Sequence, residues 1–542
     1  MQRPPVCLAE LVRQKARSSP DLDVLTFVDI GPAGELREEV RTYRALWDAG
    51  CRLACALLDR GLRRGERFAL MMHNHPEFVE AMIAAALTGT VFVPIDPRTR
   101  GAQLAYMLAF AEVRGAIVSD TALPRLLGVR DQLADLAWAL VLDTGAGTTD
   151  WPVGISPLSE ACRTASSECP TRSTDPEATM QLLYTSGTTG EPKAIATRHA
   201  RFAKAGGAAA ELFGLRSDDR PFTGLSLTHA NAQMVTLAGA LHMGLRAVIA
   251  RKFTKSRLWD ITRRYGCTVF NLLGGMTVAL YSEPRKPDDA DNPVRLVISA
   301  GMPAAIWSDF EQRFAVGVLE FYGAAEGGLT INAPGAGPIG SVGKPPLGLE
   351  VAVLDESGQP CRAGATGEIC FRTTAGQPPA LTYEKNPGAS ASKTAGGWLH
   401  MGDIGHLDEQ GWLFFHHRTG GAIRRNGEFI DPRAVESAIA VAAQVRDVFV
   451  YAVAARSGAP GEQDLVAAIV PHELARFDAS AVFRHCQDAL PANLVPTYLQ
   501  IVAEIPKTIS EKPQERILLQ TFAPDAPNVC VRGSTQVSET AR

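Results

Sequence analysis

The sequence predicts an α/β protein: a large N-terminal domain of parallel α/β sheets with a small β unit, and a small mobile α+β C-terminal domain. Helix-period and strand-like segments alternate from Tyr43 to about Leu126, and the rhythm returns from Leu258 to Ile298. Turns become dense and strands short from about Gly340 to Phe415, and longer helical and strand patterns resume after Arg418. Alternation of this kind predicts βαβ units, because parallel strands need a crossover that a helix supplies.

Each element has its own signal. Leu46, Leu53, Leu57 and Leu58 recur at helical spacing up to Arg60, and Arg67 to Met72 is an apolar run short enough for a buried strand. Pro76 to Leu87 predicts a helix that opens on proline and stops at Gly89, before the strand Val91 to Ile95. Leu258 to Tyr265 predicts a helix, Thr268 to Phe270 and Val294 to Ile298 strands. The β unit takes Glu350 to Leu354, Gly367 to Phe371 and Gly411 to Phe415. Beyond it, Val435 to Val441 and Ala479 to Ala489 predict helices, Val448 to Ala455 and Leu465 to Val470 strands. The expected division is 1–418 for the N-terminal domain (β unit about 340–415), 419–421 for a hinge, 422–521 for the C-terminal domain and 522–542 for a loose polar tail.

Bulk properties exclude several functions. A chain of 542 residues with 46% hydrophobic and 21% charged residues is ordinary for a globular protein. A formal charge of −4 provides no general attraction to nucleic acid or anionic membrane. No run approaches the ~18 apolar residues of a membrane span, and Met1 to Pro5 lacks the apolar core of a signal peptide. The ten cysteines include no CxxC pair, which fits a reducing cytoplasm. Cys51 and Cys55 share a helix face, but a zinc site needs four clustered ligands, so they are read as core residues.

The stretch LLYTSGTTGEPKAIATRH, residues 182–199, departs from this texture. Leu182 to Tyr184 and Ala194 to Thr197 suit strands, and Pro192 prevents an intact helix from running through the loop. The spacing GxxGxxK also differs from a Walker loop, which must open a helix. Glycines Gly187 and Gly190 let backbone N–H groups converge on an oxyanion. Thr185, Ser186, Thr188 and Thr189 add hydroxyls, and Lys193 adds a mobile point charge. Taken alone, the stretch is equally a solvated Gly/Ser/Thr turn.

It is not alone. Thr228-His229-Ala230-Asn231, Phe321 to Glu326, Trp398 to Asp403, Arg418 to Gly427 and Pro506 to Lys512 follow in order. With YTSGTTGEPK these landmarks resemble the adenylate-forming superfamily of acyl-CoA synthetases, peptide-synthetase adenylation domains and luciferases, over about Tyr43 to Leu519. The last third is most similar to the crotonobetaine/carnitine-CoA ligase branch.

The resemblance implies activation of a small-molecule carboxylic acid by ATP to an acyl-adenylate, then thioester formation with coenzyme A and release of AMP. It implies that Thr185, Ser186, Gly187, Thr188, Thr189, Gly190 and Lys193 hold phosphates. Glu326, with Thr185, would ligate Mg²⁺; Tyr322 and Gly323 would meet adenine. Asp403 and Arg418 would hold the ribose, and His229 would gate an acyl pocket walled by Ser299, Ala300, Gly301 and Gly323. Lys512 would be the catalytic lysine of adenylation, and Gly420 and Gly421 the hinge residues. Two departures stand out: Ala325 replaces the threonine whose hydroxyl touches the α-phosphate, and Glu511 replaces a glycine before Lys512. His416 and His417 are adjacent on a strand, point to opposite faces and are read as structural.

Alternatives stay open. The acceptor thiol belongs to coenzyme A or to a separate carrier protein, or catalysis is lost and only nucleotide binding remains. A luciferase-type oxidase has no positive support. A homodimer is an open alternative for the assembly.

Overall fold

The computed structural model describes residues 7–146, 151–163, 165–169, 175–185, 192–418, 423–425, 428–430, 432–456, 463–508 and 513–533. Two parallel sheets dominate. The seven-stranded sheet runs Ile155–Pro157, Trp138–Leu142, Val113–Ser119, Arg67–Met71, Val91–Pro94, Thr179–Thr185, Lys193–Arg198, and only its last pair is antiparallel. The eight-stranded sheet runs Gly327–Asn332, Gly317–Ala324, Leu296–Ala300, Val269–Leu273, Pro221–Thr223, Ala247–Ala250, Asp23–Ile30, Leu36–Thr42, antiparallel only at its two edges.

Strand period decides how these layers pack. Along Arg67–Met71, Phe68 and Leu70 enter one core while Ala69 and Met71 enter another, so the sheet is buried on both faces. The first core also takes the helices Tyr43–Asp59 and Pro76–Thr88, which lie between the two sheets. A fully buried phenylalanine such as Phe68 or Phe92 contributes about 1.5–3 kcal/mol over its exposed state. Gly89 ends the Pro76–Thr88 helix at φ 73°, a left-handed torsion that glycine adopts without a Cβ clash. Cys51 is buried in this core and Cys55 packs at its edge, as expected of core residues.

The small β unit is a four-stranded antiparallel sheet, Leu349–Leu354, Gly367–Thr373, Leu399–Leu407, Leu413–Arg418. The C-terminal sheet has the order Val445–Ala454, Gln463–Pro471, Tyr498–Ile501, Val529–Val531. Its last strand corrects the expectation of a loose tail from residue 522. Val529–Val531 pairs antiparallel with Tyr498–Ile501, and Phe522 meets Tyr498 edge-on at 5.3 Å between ring centroids. Covering apolar rings outweighs the polar composition of this segment. Among the described residues no helix is long and apolar enough to cross a membrane.

Candidate nucleotide and acyl site

Thr179–Thr185 and Lys193–Arg198 form the expected strand–loop–strand element, with Thr185 directly opposite Lys193. The hydroxyl of Thr185 donates to the Lys193 carbonyl at 3.4 Å. Ser186, Gly187, Thr188, Thr189 and Gly190 lie outside the described residues. A segment far along the chain extends this edge: the N–H of Ala196 donates to the Thr382 carbonyl at 3.0 Å, and that of Glu384 to the Ala194 carbonyl at 2.8 Å. Between them stands Tyr383. Its ring lies 5.4 Å from the Lys193 ammonium, and its hydroxyl donates to Glu326 Oε1 at 3.1 Å.

Glu326 occupies the two-residue turn between Gly317–Ala324 and Gly327–Asn332. Tyr383 uses one of its oxygens, and among the described residues no protein donor bonds the other. The turn is tight by necessity. A Cβ on Gly323 would approach the Gly328 carbonyl oxygen to 2.8 Å. Arg201, on the helix His199–Phe213 that follows Lys193–Arg198, donates to the carbonyls of Ala325 and, at 3.4 Å, Ala324. Burial lowers the pKa of this guanidinium, and Glu326 opposes the shift.

One strand joins this corner to a second. Tyr322 precedes the turn and donates its hydroxyl to Asp403 Oδ2. Asp403 and Arg418 are cross-strand partners, and Arg418 Nε stands 3.1 Å from Asp403 Oδ1. The carboxylate is 3% exposed and its guanidinium partner 47%, so the pair opens on the arginine side. Burial, then Asp403, raises the pKa of the Tyr322 phenol and keeps it a donor. The Tyr322 ring rests against Phe371 and Phe415, at 6.2 and 5.9 Å between centroids. Lys393 enters the same corner and donates to the Met401 carbonyl at 2.9 Å; burial lowers its pKa against the pull of Glu326 and Asp403.

Glu368, Cys370 and His400 offer ligand atoms within 4.8 Å of one another, close to Asp403. His400 Nδ1 and Glu368 Oε2 are 2.8 Å apart. That is a hydrogen bond, shorter than the roughly 3.3 Å edge between ligands held at 2.0–2.1 Å around tetrahedral zinc. Glu368 also accepts the Gly402 N–H at 2.9 Å, which fixes the backbone just before Asp403. His416 faces His406, with ring nitrogens 2.7 Å apart, while His417 Nδ1 meets the Arg418 carbonyl at 3.0 Å; both roles are structural.

His229 lies in a turn fixed from two sides. Asn74 bonds the Leu225 carbonyl and the Leu227 N–H, each at 2.8 Å. Gln233 bonds the Leu227 carbonyl at 2.8 Å and pairs with Gln181, two residues before Leu183 on the strand that ends at Thr185. Gln233 belongs to the π-helical turn Ala232–Leu237, a distortion frequent near functional sites. Ser299 and Ala300 end the strand Leu296–Ala300. Gly301 follows at φ 110° and touches Gly274, since a Cβ on Gly274 would meet the Gly301 carbonyl oxygen at 2.9 Å. Glu320 accepts the N–H groups of Gly301 and Met302 at 2.6 and 3.0 Å. Burial pushes its carboxyl up to about 8, although those donors pull the other way.

The structure thus brings Thr185, Lys193, Tyr322, Gly323, Glu326, Asp403 and Arg418 into connected corners. Lys512 and the hinge residues Gly420 and Gly421 lie outside the described residues, as does Glu511. Arg201, Tyr383, Lys393 and Glu320 were not anticipated. Of these, only Glu320, immediately before Phe321, adjoins a landmark.

Comparison with known proteins identifies the family and the fold. A family model described as AMP-binding enzyme matches residues 12–376, and the AMP-binding enzyme C-terminal domain matches 434–512. The chain is 31% identical over 475 residues to the medium/long-chain-fatty-acid–CoA ligase FadD17 of Mycobacterium marinum, covering 86% of this chain and 89% of that one. It is 28% identical over 480 residues to the crotonobetaine/carnitine–CoA ligase of Salmonella enteritidis, covering 87% and 91%. The solved anthranilate CoA ligase AuaEII, in complex with anthranoyl-AMP, shares the fold at TM-score 0.83 and 23% identity, over 96% of this chain and 98% of that one. The benzoate CoA ligase of Burkholderia xenovorans LB400 shares it at TM-score 0.78 and 22% identity, over 94% and 99%.

Proposed function

The chain belongs to the AMP-binding enzyme family, and from that premise we propose that it is an AMP-forming acyl-CoA synthetase. In the first step a carboxylate oxygen attacks the α-phosphorus of ATP, an acyl–phosphate bond forms and pyrophosphate leaves. In the second the sulfur of coenzyme A attacks the acyl carbon and AMP leaves. The observation that carries the reading is one strand, Gly317–Ala324, which serves both corners. Tyr322 on it bonds Asp403, while Glu326 in the turn beyond it bonds Tyr383 beside Lys193.

The family resemblance suggests the roles. Both reactants of the first step are anions, so fixed positive charge and donors must stand where charge builds. Lys193 and the Thr185–Gly190 loop hold the leaving phosphates. Arg418 and Asp403 present a donor and an acceptor to the ribose hydroxyls, and Tyr322 with Gly323 forms the adenine wall. His229, Ser299, Ala300 and Gly301 line the acyl side, with Glu320 holding the Gly301 backbone. Lys512 acts in adenylation, and Gly420 and Gly421 form the hinge between the two half-reactions. An oxygen-only donor set, the unshared Glu326 oxygen with the Thr185 hydroxyl, fits Mg²⁺. When bound, Mg²⁺ would neutralise phosphate charge.

The test is AMP release dependent on coenzyme A over a panel of fatty, carnitine-like and aromatic acids. One acid should give release that requires both ATP and the thiol. Release with a phosphopantetheinylated carrier protein but not with coenzyme A would reassign the acceptor. Ala325 favours one further reading, a nucleotide binder without catalysis; nucleotide binding without pyrophosphate exchange on any acid would establish it.

A further inference from the structure

Ala325 leaves the turn before Glu326 without a side-chain donor, and the structure places a different donor against that turn. We infer that Arg201 is a phosphate-binding residue, supplying to the α-phosphate of ATP or AMP the contact that Ala325 lacks. This rests on the nucleotide reading of the site.

The argument begins with unbalanced charge. Arg201 donates to the Ala325 carbonyl and, at 3.4 Å, to the Ala324 carbonyl. Among the described residues no carboxylate forms an ion pair with it. Two neutral carbonyls satisfy part of a five-donor guanidinium and none of its charge. Glu326 acts on this charge only at a distance. A recessed cation that no described carboxylate contacts is costly to keep, and arginine is always charged, so the position favours an anion that arrives from outside.

Placement identifies the anion. Arg201 lies in the first turn of the helix that continues from Lys193–Arg198, so the strand carrying Lys193 and the helix carrying Arg201 form one continuous unit. Its two carbonyl contacts hold the guanidinium at the turn that presents Glu326 and at the residue where the hydroxyl is missing. A charged donor replacing a neutral hydroxyl makes a stronger contact to a phosphate oxygen.

The experiment measures equilibrium binding of AMP and of adenosine, which lacks the phosphate, to the full chain and its variants. Arg201→Met keeps most of the stem and removes the charge. AMP should bind about 10- to 150-fold more weakly, the worth of one charge-assisted hydrogen bond, while adenosine is unchanged. Adding Ala325→Thr to Arg201→Met should recover part of the AMP affinity, and Ala325→Thr alone should change it little. Equal loss for AMP and adenosine would assign Arg201 a purely structural role and overturn the inference, as would unchanged AMP binding. If Arg201→Met lacks a cooperative thermal transition, Arg201→Lys takes its place, with a smaller loss for AMP alone expected and equal losses again overturning the inference. A wild-type chain that activates no acid but binds AMP through Arg201 defeats the proposed function and leaves this inference standing. A chain that binds no AMP defeats both.

Discussion

Two hairpins face each other across the site, each an antiparallel edge of a mainly parallel sheet. One, Thr179–Thr185 with Lys193–Arg198, closes through a long connection of glycines and hydroxyls. The other, Gly317–Ala324 with Gly327–Asn332, closes through two residues and carries a carboxylate at its tip. By composition the long connection offers many donors, as a multiply charged ligand requires. The tight turn presents one group in one place, its backbone held by Arg201 and its carboxylate by Tyr383. The difference between the hairpins is one between many donors and a single fixed group, and each suits a different part of one ligand.

The sharpest break comes at the fixed side. Glu326→Ala should lower kcat of acid activation by about a hundredfold or more, the scale of a lost group aimed at developing charge. Circular dichroism and melting should be near wild type, because among the described residues the carboxylate bonds only Tyr383. A loss in KM alone would mean that Glu326 binds without acting in the transition state.

Gly323→Ala tests tightness itself. Its Cβ would fall 2.8 Å from the Gly328 carbonyl oxygen, so the hairpin must open. We expect a loss of about 1–3 kcal/mol, typical of overpacking, read as a lower denaturation midpoint. An unchanged midpoint would show that the turn is more adaptable than its contacts suggest.

Acid should loosen the other hairpin's support. His199 begins the helix after Lys193–Arg198, is 2% exposed, and burial pushes its pKa down to about 4. The unfolded chain therefore takes up the proton first. Stability is whole above the unfolded value near 6.5 and falls as pH drops toward 4. At pH 5 the loss should be about 2 kcal/mol by linkage. Denaturant midpoints at pH 7.5 and 5 measure it, and His199→Gln should flatten the difference attributable to this site.

Tyr383→Phe is the smallest step. It keeps the ring beside Lys193 and removes the hydroxyl from Glu326. A fall of about three- to tenfold in kcat/KM fits one neutral-to-charged hydrogen bond whose loss solvent partly repairs. A hundredfold fall would show that Tyr383, as much as the tight turn, fixes the carboxylate.

Local signals made much of this legible. Pro76 and Gly89 bracket a helix because one opens it and the other ends it, and both effects act within a few residues. Thr185, Lys193, Tyr322, Glu326, Asp403 and Arg418 were legible because they stand inside recognisable strings. Arg201 and Tyr383 were not, since what matters is where they arrive, across 124 and 57 residues of sequence. The error at the C-terminus has the same origin. Val529–Val531 is a short strand among polar residues, and its pairing with Tyr498–Ile501 and the burial around Phe522 are tertiary facts.

Phe415 has one more consequence. One of its neighbours is the Tyr322 ring, and another is the guanidinium of Arg433, 4.3 Å from its centroid, on the C-terminal helix Pro432–Ala440. The ring is thus a shared wall between the adenine side of the site and the smaller domain. Linkage is reciprocal: if occupancy on one side changes how Arg433 sits, the seating of that helix changes affinity by the same factor. A residue that touches no ligand can in this way couple a ligand-facing ring to the neighbouring domain. In such a protein the timing of the two half-reactions would be tuned at an aromatic partition, with the reacting groups themselves left alone.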